Sequence, residues 1–67
     1  MSTSYEFMYQ GPKRTVLETT IGSWCDERGC ALHVTSLIDG VRFRITGQQE
    51  AVREAIRTVR MWIRIAA

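Results

Sequence analysis

Arg53, Arg57, Arg60 and Arg64 recur at intervals of four, three and four residues. On a helix of 3.6 residues per turn, that spacing lines all four guanidiniums along one side. Such a row suits a polyanion: it can neutralise successive phosphates, with an affinity that falls as salt rises. A solvated helix face is the plainer reading, with Glu50 and Glu54 within reach of some of the cations. Arg42 and Arg44 alternate on a preceding strand and share one of its faces. Lys13 and Arg14 follow Gly11 and Pro12, where the free N–H groups of a helix start could add to a phosphate contact. An ordinary glycine-proline turn accounts for the same residues.

Other chemistries find little material. Cys25, Cys30 and His33 form C-x4-C-x2-H, which lacks a fourth zinc ligand and is wider than the usual cysteine spacing. Two cysteines at a helix end and a strand start read as small buried hydrophobes. A Cys30–His33 nucleophile–base pair fails because residues three apart on a strand project to opposite faces. With one histidine, no nucleophile elbow and no Gly-rich phosphate loop, the expectation is no catalytic residue, no metal and no cofactor. Met61, Trp62 and Ile65 make the end of the last helix apolar nearly all round, a pattern that calls for burial against something.

These groups belong to a chain of 67 residues, enough for one domain over 1–67 and a thin core. Residues 1–3 read as a flexible N-terminus. Charge is uneven. Lys13, Arg14 and Arg28 stand against five carboxylates in residues 1–40, and six arginines stand against Glu50 and Glu54 in residues 41–67. Such asymmetry marks the second half for an anionic partner. No apolar run approaches the roughly 20 residues of a membrane helix. The opening MSTSYEFMYQ has neither the basic start nor the apolar stretch of a signal peptide. A soluble, cytoplasmic protein with reduced thiols, away from membranes, is expected.

The elements that must position these side chains follow from periodicity. Ser4–Gln10 alternates, with Tyr5, Phe7 and Tyr9 on one face, and reads as a strand. Pro12 suits the first position of a helix over 13–28, with Val16, Leu17, Thr20, Ile21, Trp24 and Cys25 on one side and Gly29 closing it. Thr15, Thr19, Thr20 and Gly22 are poor helix formers, so a strand over 14–21 is the competing reading. Two alternating runs flank Asp39-Gly40, a favoured two-residue hairpin turn that would set Ile38 against Val41 and Ser36 against Phe43. Leu37 would then join His33, Thr35, Arg42 and Arg44 on the outer face. Thr46 and Gln49 form a capping-box pattern ahead of Val52, Ala55, Ile56, Val59, Trp62, Ile63 and Ala66, a stripe at helical spacing. A short last strand at 63–65 is the alternative ending. The result is an α+β domain of order β-α-β-β-α, a three-stranded sheet with two helices on one face and the natural strand order first-third-second.

The run Val41-Arg-Phe-Arg-Ile-Thr-Gly-Gln-Gln-Glu-Ala-Val-Arg-Glu-Ala-Ile56 resembles the last strand and helix of KH domains. Glu27-Arg-Gly-Cys-Ala-Leu-His-Val34 is similar to the family's helix end, glycine and central strand. The resemblance implies a KH-like minimal fold and, with it, nucleic-acid binding. It stops short of the family's GXXG loop: Gly11-Pro12-Lys13-Arg14 lacks the second glycine.

Two functions remain. The first is a non-catalytic module binding single-stranded RNA or DNA through Arg53, Arg57, Arg60 and Arg64, with Arg42 and Arg44 assisting. The second is a protein-interaction or regulatory module, a homodimer or a unit docking on a larger protein. It would use Met61, Trp62 and Ile65 or the free edge of the first strand.

Overall fold

The alternation of Tyr5, Phe7 and Tyr9 becomes a strand, β1 (Ser2–Tyr9), in the computed structural model, which describes residues 2–66. It is followed by α1 (Arg14–Arg28), β2 (Ala31–Ser36), β3 (Val41–Gln48) and α2 (Gln49–Ala66). The strands form one antiparallel sheet in the order β1-β3-β2, so the expected β-α-β-β-α domain is present. Both helices lie on the face that carries Val41, Phe43 and Ile45, with α2 against β3 and β1 and α1 against β2. Ser2 and Thr3, expected in a flexible N-terminus, pair instead with Gln48 and Gly47. Met1 lies outside the described residues.

The helical reading of 14–21 holds despite its threonines, because Leu17, Ile21 and Cys25 are spaced to bury together in the core. Packing of an apolar stripe outweighs intrinsic propensity. Thr20 also satisfies its hydroxyl locally, donating to the Val16 carbonyl at 2.8 Å. Gly29 closes the helix in the left-handed conformation, at φ 69° and ψ 25°, and Cys30 N–H donates back to the Cys25 carbonyl at 2.9 Å. Pro12, however, does not open α1. The Tyr9 hydroxyl donates to the Pro12 carbonyl at 2.7 Å and ties it to the end of β1. The chain then turns through Lys13 at φ 58° before helical geometry begins. A left-handed lysine costs about 1–2 kcal/mol.

The hairpin forms, but in a register two residues from the expected one. Ser36 pairs with Val41, Val34 with Phe43 and Leu32 with Ile45. Because side chains alternate with period two, a shift of two leaves the same residues on the inner face. It replaces a serine opposite Phe43 by Val34, so that apolar side chains meet apolar ones. Asp39-Gly40 is then no two-residue turn, and neither residue takes positive φ. The loop spans residues 37–40, held by Leu37 N–H donating to the Gly40 carbonyl at 2.8 Å. Gly40 is pressed against β1: a Cβ there would sit 2.8 Å from the Tyr9 carbonyl oxygen. Leu37 therefore leaves the outer sheet face for the loop, and Ile38 is fully exposed at 106%.

At the last junction the capping box is not made. Thr46 stays in β3, paired with Ser4 and Ala31, and α2 begins directly at Gln49. The helix runs on through 63–65 without a final strand. Val52, Ala55, Val59, Trp62 and Ala66 are buried, while Ile56 (47% exposed) and Val16 of α1 fall outside the core.

The register predicts that Ile38→Ser changes unfolding free energy by no more than about 0.5 kcal/mol in urea titrations. Phe43→Ala should cost about 3–5 kcal/mol. A loss near 2 kcal/mol at Ile38 would instead indicate the tight Asp-Gly hairpin.

Candidate nucleic-acid interface

The side of α2 that faces the sheet is fixed by Val52, Ala55, Val59, Trp62 and Ala66. Arg53, Arg57, Arg60 and Arg64 are therefore forced to the outer side, and all four are exposed. At about 1.5 Å rise per residue the row is about 16 Å long. The dipole of α2 is matched at both ends, with Glu50 in the first turn and Arg64 in the last.

One of the two carboxylates on α2 within reach of the row is engaged elsewhere. Arg28, at the end of α1, reaches across the helix seam and donates from Nη2 to Glu54 Oε1 at 3.1 Å. Its guanidinium also lies 4.3 Å from the centre of the Trp24 ring, and it pairs with Glu27 at 3.5 Å. Trp24 meets Trp62 edge-on at 5.2 Å between ring centres, so Arg28, Trp24 and Trp62 form one inter-helix cluster. Among the described residues, none of the four row arginines makes an ion pair. The role of Arg28 was missed by sequence reasoning; its position four residues after Trp24 was the available signal.

Arg42 and Arg44 are not part of this surface. They project from β3 on the side of the sheet away from the helices, beside His33 and Thr35 of β2. Arg44 Nε donates to Glu6 Oε1 at 2.8 Å, across the β1–β3 pairing in which the two residues are direct partners. Arg42 borders a shallow hollow with Glu6, Phe7 and Met8. The sheet thus separates two arginines from the other four. Lys13 and Arg14 are exposed where α1 begins. The α1 first turn has no acidic residue, and Lys13 makes no side-chain cap.

The three apolar residues at the end of α2 divide. Trp62 is only 2% exposed and belongs to the core, so it is not available to a partner. Met61 and Ile65, at 56% and 52%, are exposed.

Cys25, Cys30 and His33 are not gathered. Cys25 is buried on the core side of α1, Cys30 is half-buried just before β2, and His33 stands on the outer sheet face opposite Arg44. Among the described residues, no three His, Cys, Asp or Glu side chains cluster as metal ligands would. None of the described helices is long and apolar enough to cross a membrane.

No protein-family model matches the chain, and no curated protein matches it.

Burial pushes the Cys25 thiol from its ordinary value of 9.0 up to about 11, aided by Cys30 and Asp26 and opposed by Arg28. The folded state thus favours the neutral thiol, whereas the unfolded chain ionises it near its ordinary value. This contribution to stability is complete below pH 9 and is lost as pH rises towards 11. Urea titrations across that range should show the loss in the native chain and a smaller one in Cys25→Ala.

Proposed function

We propose that this chain is a small non-catalytic module that binds nucleic acid through phosphate contacts made by Arg53, Arg57, Arg60 and Arg64. The observation that carries the reading is the exposed row of four arginines without ion pairs among the described residues, while Glu54 is drawn to Arg28. Repulsion between like charges at i,i+4 costs a few tenths of a kcal/mol per pair, and a phosphate backbone relieves it. The resemblance of 41–56 to the last strand and helix of KH domains points the same way. The row substitutes for the absent GXXG loop. Arg42 and Arg44 contribute only general positive potential, because they face away from α2 and Arg44 is paired with Glu6.

Titrating labelled protein with short RNA and DNA at low salt should move amide signals across residues 53–64. Arg57→Glu combined with Arg60→Glu should lower affinity by about tenfold or more and leave the fold intact, since both side chains are exposed. Unchanged affinity in that variant rules the row out.

A second reading rests on Met61 and Ile65, exposed apolar side chains one turn apart on α2. They suit a protein partner, either a second copy or a larger protein. If two copies pair there, light scattering will report a dimer and Met61→Glu will return it to a monomer. A monomer at high concentration removes the homodimer.

A further inference from the structure

The chain has six Phe, Tyr and Trp residues, and none of them is exposed. Tyr9, Phe43 and Trp62 are buried, and Tyr5, Phe7 and Trp24 are packed against the core. Phe7 is stacked between Tyr5 and Phe43, at 6.0 and 5.2 Å between ring centres. Trp24 carries Arg28 over its ring and meets Trp62 edge-on. Modules that hold single strands draw much of their affinity from bases stacked on exposed rings. The outer sheet face, the natural platform for such stacking, presents Ser4, Glu6, Met8, Thr35, Arg42 and Arg44. Its one ring among the described residues is the imidazole of His33, across the sheet from the row on α2.

From this we infer that the row on α2 takes a double-stranded nucleic acid rather than a single strand, an inference that rests on the phosphate-binding reading above. A duplex has its bases already stacked and asks the protein only for correctly spaced cations. The row supplies these on a regular helix, within a band roughly 60° wide around its axis. Its length of about 16 Å covers about five base-pair steps of one strand at 3.4 Å each. A helix is stiff enough to keep that spacing against a stiff partner. A flexible single strand gains nothing from the fixed spacing and finds no exposed Phe, Tyr or Trp ring to stack on among the described residues. Because the row meets only phosphates, recognition is independent of base sequence.

The test is binding of the whole chain to a 16-base-pair DNA duplex, an RNA duplex of the same sequence, and the separated strands of each, over a range of salt. Both kinds of duplex should bind at least tenfold more tightly than their single strands, and shuffled sequences should bind equally well. The tighter of the two duplexes names the form preferred. Four phosphate contacts give a slope of log K against log salt of about −3.6 for duplex DNA, and Arg57→Gln with Arg60→Gln should reduce it to about −1.8. A folded NMR spectrum checks the variant, and Arg53→Gln with Arg64→Gln provides an independent pair. Single strands binding as tightly as duplexes would overturn the duplex inference and leave nucleic-acid binding standing. A salt slope unmoved by both variant pairs would overturn the assignment of the row. Absence of binding to all four probes at low salt overturns both readings.

Discussion

The position of every other element depends on β3, which is paired along both edges and covered on one face. Val41, Phe43 and Ile45 are buried beneath the helices, while β1 and β2 each supply only one paired edge. A strand with both edges occupied must present alternate residues to opposite sides, so burying Phe43 sends Arg42 and Arg44 outward. The same alternation sets Glu6 beside Arg44 and Phe7 beside Phe43. In a domain of this size the core is thin, and the central strand supplies a large part of it.

One-sided cover has an electrostatic effect as well. α2 buries a narrow apolar stripe over the sheet, so its opposite side is left exposed among the described residues and carries the arginines. The seam between the helices adds a second effect. Arg28, seated on Trp24, holds Glu54 on the α1 side of α2. An exposed ion pair of this kind contributes little to stability, about 0–1 kcal/mol. Its larger effect is on charge distribution, because it removes a carboxylate from the neighbourhood of the row.

Much of the architecture was legible, because period-two and period-3.6 patterns report burial directly. Tyr5, Phe7 and Tyr9 identified β1, and the spacing from Val52 to Ala66 identified α2. The misses occurred where local signals competed with tertiary contacts. Asp39-Gly40 is a strong turn pair, yet matching Val34 to Phe43 and seating Gly40 against Tyr9 carried the hairpin two residues further along. Pro12 and Thr46 carry the right chemistry for helix starts, but a hydroxyl from β1 holds one and strand pairing holds the other. For the site, the spacing of the four arginines could be read directly. That Arg42 and Arg44 stand across the sheet from them followed from alternation once both helices were placed on one face. The engagement of Glu54 by Arg28 was not legible, since it depends on how two helices cross.

The pairing of β1 with β3 also governs the order of assembly. Tyr9 meets Val41 and Ser2 meets Gln48, so this ladder joins segments separated in sequence by α1 and β2, whereas β2 and β3 are separated by one short loop. Loop-closure entropy therefore favours the β2–β3 hairpin and α2 as the first native contacts, with β1 arriving late. During synthesis β1 emerges before the strand it pairs with. Its aromatic alternation stays without a partner until the central strand has left the ribosome, so the sheet is completed only once β3 is free to pair.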